Sequence, residues 1–177
     1  TGSKAFAEIV DKVIAIRNAA GLDAVPIRLI TNGSLIDRPY VQTALQHLAA
    51  AGGEVWFKFD AGTAADIARI NGIDVDPHTH ARRLALCASL CPTWVQTCLF
   101  RWDGQVPSQD QIDHYLEMLE YAGSAALKGV LLYGVARPSF QPEATHLQQL
   151  APDELETIAR TVRAKLGAGG LAVTVSP

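Results

Sequence analysis

The chain has 177 residues, of which 49% are hydrophobic and 19% charged, with 14 glycines and 9 prolines. This balance excludes disordered, collagen-like and low-complexity chains and predicts a single globular domain over residues 1–177. The formal net charge is -3 and no dense basic run is present, so nucleic-acid binding is not indicated. No apolar stretch has the length of a membrane span, and no signal-peptide pattern is present, which predicts a cytoplasmic protein with no membrane partner.

Cysteine usage gives a further indication of the compartment. The three cysteines are Cys87, Cys91 and Cys98. An odd count in a chain of this size does not suit a disulfide scaffold. We therefore expect reduced and mostly buried thiols.

Helices and strands are predicted to alternate along the chain. Apolar residues at three- and four-residue spacing predict helices over 3–20, 39–51, 63–70, 77–90, 109–122 and 152–166. Asp37 before Pro39 and Asp76 before Pro77 are typical helix caps, and Ser108 with Gln111 matches a capping box. Strands are predicted over 26–30, 54–60, 94–100, 129–136 and 171–175, with a loop over 138–150.

This alternation predicts an α/β fold with a parallel sheet joined by right-handed crossovers. A complete α/β barrel commonly has about 250 residues, and the chain begins on a helix without the strand that should precede it. We therefore expect a partial TIM-type (β/α) barrel, truncated at its N-terminal side.

The strand over 54–60 carries the best candidate site residues. Side chains alternate along a strand, so Lys58 and Asp60 share one face, opposite Phe57 and Phe59. Parallel α/β folds bind ligands at the carboxyl ends of their strands, where this acid and base lie. The alternative is an ion pair that fills an end layer of a barrel.

Other strand ends supply weaker candidates. Gln96 is a polar residue inside an apolar strand, and Tyr133 and Arg137 have the same parity in the strand over 129–136 and its end. Arg137 suits a carboxylate or phosphate, although a solvated arginine is an equal alternative. Thr31 and Asn32 lie at another strand end, where an ordinary turn is the favoured interpretation.

A metal site is a competing hypothesis. Asp74, Asp76, His78 and His80 form a polar cluster with His-x-His spacing. Both histidines fall in the first turn of a predicted helix, about 200° apart around its axis, which disfavours binding to one ion. Cys87 and Cys91 share a helix face, but two thiols without further ligands are typical of a core.

The order of these motifs resembles the later part of a radical S-adenosylmethionine domain, in the branch of iron-sulfur oxidoreductases related to wyosine-forming and cofactor-forming enzymes. The motifs are Thr31-Asn32-Gly33, the segment WFKFDAGT at 56–63, Ile70-Asn71-Gly72 and the segment LLYGVARP at 131–138. The resemblance covers nearly the whole chain. The family's Cys-x3-Cys-x2-Cys signature is absent, and so is its Gly-Glu-Pro-type stretch, so the resemblance implies a fragment without cluster ligands.

The resemblance implies a parent enzyme that cleaves S-adenosylmethionine reductively at a [4Fe–4S] cluster, giving a 5′-deoxyadenosyl radical. The isolated chain is expected to be inactive. By position, the implied cofactor-binding residues are Thr31, Asn32, Lys58, Asp60, Gln96, Tyr133 and Arg137. The sequence does not identify the substrate, since the same barrel fold supports many different reactions.

Two other function classes compete with this reading. One is a complete metal-dependent hydrolase that uses His78 and His80, and the other is a non-enzymatic α/β binding module. A truncated barrel also predicts an exposed sheet edge along the strand over 26–30. Unpaired backbone groups at such an edge favour self-association.

Overall fold

The computed structural model describes residues 2–135, 140, 142–167 and 170–176. Its helices are α1 (Phe6–Ala19), α2 (Pro39–Ala50), α3 (Ala64–Asn71), α4 (Pro77–Leu90), α5 (Gln109–Tyr121) and α6 (Pro152–Leu166). Its strands are β1 (Arg28–Thr31), β2 (Glu54–Lys58), β3 (Thr93–Cys98), β4 (Arg101–Trp102), β5 (Gly129–Tyr133), β6 (Leu147–Gln148) and β7 (Ala172–Ser176). Short 3-10 turns cover Ser124–Ala126 and Pro142–His146.

Five of these strands form one parallel sheet in the order β1-β2-β3-β5-β7. The spatial order follows the chain order, so each crossover leads to the adjacent strand. With right-handed crossovers, this order places the connecting helices on one face of the sheet. Doubly wound sheets instead reverse their strand order. The α/β fold predicted from the sequence is confirmed, with the strand order of a partial barrel.

Local sequence signals set most helix starts. The Asp76 carboxylate accepts from Thr79 N at 2.8 Å with Pro77 at the first helical position, as predicted. Ser108 and Gln111 form the predicted capping box. The predicted cap at Asp37 is wrong, because α2 begins after Arg38 without a side-chain cap. Asp37 instead lies 3.7 Å from a guanidinium nitrogen of Arg83 on α4.

The helix-covered face of the sheet is the core. Val55, Phe57 and Phe59 are fully buried, which confirms that the alternation within 54–60 separates an apolar face from a polar one. Cys87 and Cys91 are free and buried behind this face, as expected. Burial raises the pKa of the Cys87 thiol to about 11, which keeps it protonated. The helices contribute the remaining large buried side chains, including Leu45, Leu48, Leu84, Leu116, Leu119 and Leu155.

The bounds of all five predicted strands differ from those observed, and one small sheet was missed. The strand over 26–30 is Arg28–Thr31, that over 94–100 is Thr93–Cys98, and that over 171–175 is Ala172–Ser176. The strand over 54–60 ends at Lys58 and the strand over 129–136 ends at Tyr133, while residue 136 lies outside the described residues. Inside the predicted loop over 138–150, β6 pairs antiparallel with β4. Each of these strands has two residues, too few to show an alternating pattern.

The opposite face of the sheet, here called the open face, carries half-buried side chains. It includes Glu54, Trp56, Lys58, Trp94, Gln96, Cys98, Leu131 and Tyr133. At the amino ends of the strands, Trp56 and Trp94 donate to the Glu54 carboxylate at 3.2 and 3.0 Å, and Arg28 Nε lies 2.7 Å from it. Burial raises the pKa of Glu54, but the hydrogen bonds from Arg28 and both indoles outweigh it and leave the pKa lowered. This end of the open face is therefore closed by an ionised, hydrogen-bonded carboxylate.

Gly129 at the start of β5 makes room for Trp94. A Cβ at position 129 would lie 2.3 Å from the Trp94 ring and 2.6 Å from the Ala172 carbonyl oxygen. We expect Gly129→Ala to lower the free energy of unfolding by about 1–3 kcal/mol, because the ring or the neighbouring strand must shift. Urea unfolding measures this, and an unchanged midpoint and slope would contradict the close packing.

The sheet ends in β1 on one side and β7 on the other. Within the described residues, β1 pairs with β2 alone, so its outer backbone groups face away from the sheet. Self-association through this edge stays a prediction. No helix in the described part of the chain is long and apolar enough to cross a membrane.

Candidate functional site

Lys58, Asp60 and Tyr133 meet at the carboxyl ends of β2 and β5 on the open face. Lys58 Nζ donates to Tyr133 Oη at 2.8 Å and lies 3.7 Å from Asp60 Oδ2. The ammonium also lies 5.4 Å from the centroid of the Tyr133 ring, within cation–π range. The structure therefore joins three of the residues that the sequence marked as candidates, although Lys58 and Tyr133 are 75 positions apart in the chain.

Asp60 is the most firmly held member of this group. Its side chain is only 3% exposed. Oδ1 accepts from the Cys98 backbone N–H at 2.9 Å, and Oδ2 accepts from Asn71 Nδ2 at 3.0 Å. These bonds tie the segment after β2 to the ends of β3 and α3. The carboxylate is thus a fixed acceptor and not a mobile surface charge.

The electrostatics keep Lys58 charged. Burial alone would lower the pKa of its ammonium, but the Asp60 carboxylate and the Tyr133 hydroxyl outweigh burial and leave the pKa raised. The pKa of Tyr133 is also raised, mainly by burial, so the phenol keeps its proton at neutral pH. Lys58 is therefore a permanent cation that suits an anionic ligand and does not suit nucleophilic attack.

Gln96 and Lys58 are register partners in β3 and β2, so both side chains lie on the open face.

Thr31 is placed differently, since it pairs with Phe57 on the helix-covered side. The Thr31 hydroxyl accepts a hydrogen bond from Gly33 N at 3.1 Å. Asn32 is exposed beyond the end of β1, where its side chain accepts from Ser34 N at 3.2 Å. Both residues make the contacts of an ordinary turn, which was the favoured interpretation of this segment. Arg137 lies outside the described residues.

The sequence did not single out two members of the site. Cys98 shares the parity of Gln96 in the predicted strand, so alternation alone could have placed it on the open face. Its thiol pKa is raised to about 11, first by burial and then by Asp60, which leaves it protonated. Asn71 belongs to the Ile70-Asn71-Gly72 motif, but no alternation pattern placed it in the site, because it reaches Asp60 from the end of α3, 11 positions further along the chain.

His78 and His80 do not converge. The His80 ring stacks on Phe59 with centroids 4.6 Å apart, and its Nε2 donates to the Lys58 carbonyl oxygen at 3.1 Å. The His78 ring instead contacts Tyr121 edge-on at 4.9 Å. Within the described residues, no group of three or more His, Cys, Asp or Glu side chains is arranged to hold a metal ion. The geometry gives the hydrolase hypothesis no support from this pair of histidines.

The buried imidazole of His80 predicts a pH dependence of stability. Burial lowers its pKa below the usual 6.5, an effect that the Lys58 carbonyl opposes only in part. The unfolded chain then binds a proton more readily than the native state, so this contribution is complete above about pH 6.5 and is lost as the pH falls toward the native pKa. In urea unfolding from pH 8 to pH 5, His80→Phe should show a flatter profile than the unmodified chain. A His80→Phe profile as steep as that of the unmodified chain would contradict this, and His114→Gln, at an exposed position, is the control.

The fold and site define an α/β protein with a polar cluster at the carboxyl ends of a partial-barrel sheet. No protein-family model matches the chain, and no curated protein matches it. Among solved structures, it is similar to a domain of pyruvate-formate lyase-activating enzyme from Bacteroides vulgatus ATCC 8482. The TM-score is 0.56 at 13% identity, over 97% of this chain and 94% of that chain. This similarity is one of fold.

Proposed function

We propose that the chain is the S-adenosylmethionine-binding part of a radical S-adenosylmethionine enzyme. The observation that carries the proposal is the Lys58–Asp60–Tyr133 cluster at the carboxyl ends of the open face. The fold it shares with a domain of an activating enzyme of this superfamily supports the same assignment. Ligand sites in such sheets lie at the carboxyl ends of the strands.

The donor set fits the chemistry of S-adenosylmethionine. A cation is suited to the methionine carboxylate, and Lys58 is a half-buried cation with a raised pKa. A fixed carboxylate accepts hydrogen bonds from a ribose diol, and Asp60 has that character. Gln96, beside Lys58 on the open face, offers both donor and acceptor to the base or to a substrate. The chain's contribution is to bind and orient the cofactor and to shield it from water.

The described residues do not fit an iron–sulfur cluster. Cys87 and Cys91 are buried on the helix-covered side, and Cys98 is the one cysteine on the open face. Three or four thiolates are needed around such a cluster. In a radical enzyme the cluster supplies the electron that cleaves the cofactor. We assign no part of that step to this chain.

Equilibrium dialysis of the purified chain with radiolabelled S-adenosylmethionine tests the proposal. We expect saturable binding that S-adenosylhomocysteine displaces, because it keeps the carboxylate, ribose and base. Adenosine should bind about 10-fold more weakly, because it lacks the carboxylate that Lys58 pairs with.

Variants of the cluster sharpen the test. Lys58→Met and Asp60→Asn should each weaken S-adenosylmethionine binding by about 10-fold or more. Lys12→Met, on the exposed side of α1, is the matched control and should bind as the unmodified chain does. A folded chain that does not bind the cofactor, or a Lys58→Met variant that binds it normally, would refute the proposal.

A further inference from the structure

A second ligand site is indicated by a cavity of about 250 Å³ over the carboxyl end of β3. We call it the β3-end cavity. Lys58 and Tyr133 are not among its lining residues, so it is distinct from the cluster on the open face, although Asp60 and Cys98 border both. Its apolar walls come from the sheet end and from α3, α5 and α6 through Ile70, Leu99, Ile112, Leu132, Ile158 and Val162.

The charged groups of the β3-end cavity are mainly acidic. Asp60, Asp66 and Asp103 line it, against one guanidinium, that of Arg69. Arg69 Nη2 and Asp66 Oδ1 are paired at 2.6 Å, so these two charges offset each other. Asp103 Oδ1 lies 2.6 Å from His146 Nδ1, which leaves Asp60 as the buried carboxylate at the cavity. The cation nearest to Asp60 is Lys58, at 3.7 Å and outside the lining. A cation is therefore the favoured charge for a ligand here, and an anion is disfavoured.

Aromatic rings cover the cavity on the side of β4. Phe100 and Trp102 line it with ring centroids 6.4 Å apart. Trp102 is held in place, because the His146 ring stacks on it at 5.2 Å and the Arg69 guanidinium lies 5.5 Å from its centroid. Because His146 and Arg69 occupy the Trp102 ring, the half-buried Phe100 ring is the aromatic group that remains for cation–π contact with a ligand.

We propose that the β3-end cavity binds a small organic cation, an amine or amidine carried on an apolar body about one ring in size. The volume is below the usual range for a drug-sized ligand, which limits the body to that size. The apolar walls would take the ring of the ligand, while Asp60 and the Phe100 ring would take the charged group. The proposal goes beyond the cofactor site, with which it shares Asp60, and its test does not require S-adenosylmethionine to bind.

Three probes of one shape and different charge test this proposal. Benzylamine, benzyl alcohol and benzoate are titrated into the 15N-labelled chain, with backbone amide shifts as the readout. We expect benzylamine to saturate and to shift the amides of residues 97–107. Benzyl alcohol should bind about 10-fold more weakly, and benzoate should not bind. Equal binding of the three probes, or no binding of benzylamine at millimolar concentration, would overturn the proposal.

A cavity-filling variant separates this site from the cofactor site. Ile158→Trp on α6 adds bulk inside the cavity, and Ile158→Leu is the matched control with similar volume. Ile158→Trp should weaken benzylamine binding by 10-fold or more while it keeps S-adenosylmethionine binding and the unfolding midpoint. Unchanged benzylamine binding would refute the cavity as the site. Should Ile158→Trp be poorly folded, Val106→Trp in the exposed segment after β4 provides the same test.

Discussion

Gly62→Ala is expected to lower the free energy of unfolding by about 3 kcal/mol or more. Gly62 is buried between β2 and α3. A Cβ there would lie 2.2 Å from the His114 carbonyl carbon and 2.4 Å from Tyr115 N. Both atoms belong to the backbone of α5, so no side-chain rotation can relieve the clash. The helix would have to move away from the end of β2.

Urea unfolding of the purified variant measures this effect, and circular dichroism shows whether it folds at all. Gly167→Ala at the end of α6 is the matched control, because its φ is -71° and its added Cβ would come no closer than 3.9 Å to Arg163 Cβ. That variant should equal or slightly exceed the unmodified chain in stability. A Gly62→Ala chain as stable as this control would show that α5 does not pack against Gly62 in this way.

Phe59→Ala is expected to cost about 3–5 kcal/mol of stability. The Phe59 ring is fully buried, stacks on His80 at 4.6 Å and lies 6.2 Å from the Tyr115 ring. It directly precedes Asp60, so its loss leaves a cavity behind the carboxylate. We therefore expect weaker binding of S-adenosylmethionine as well as lower stability.

The conservative variant Phe59→Leu separates these two effects. It fills most of the space and should cost about 1–2 kcal/mol, with cofactor binding close to that of the unmodified chain. Both variants are compared by urea unfolding and by equilibrium dialysis at a temperature where each is folded. An alanine variant as stable as the leucine variant would contradict the packing described for Phe59.

Much of the fold followed from patterns within single elements. The alternation over 54–60 separated Phe57 and Phe59 from Lys58, because one face of that strand meets helices and the other does not. Parity in the strand over 129–136 predicted only that Tyr133 shares a face with Arg137, and it is the observed register of β2, β3 and β5 that brings Tyr133 into contact with Lys58. Strand length and register are enough to bring such residues together. Their role as cofactor ligands stays a prediction.

The sequence was less informative where contacts cross between elements. In β1 both faces carry apolar residues, Leu29 on one and Ile30 on the other, so parity could not show that Thr31 lies on the helix-covered side. Asn71 joins the site only because α3 ends beside Asp60. In the β4–β6 pair, Trp102 packs against His146 and Arg69, which are distant from it in the chain. Strands of two residues also leave no periodic pattern in the sequence.

The consecutive order of the five strands also bears on how the chain folds as it is synthesised. Among the five strands of the large sheet, β1 is synthesised before the others, and each later strand pairs with the strand that precedes it in the sheet order. Within this sheet, no strand has to be inserted between two strands already paired. The sheet can grow from one edge, one strand and its helix at a time, so each pairing closes only the loop between two consecutive strands of the sheet.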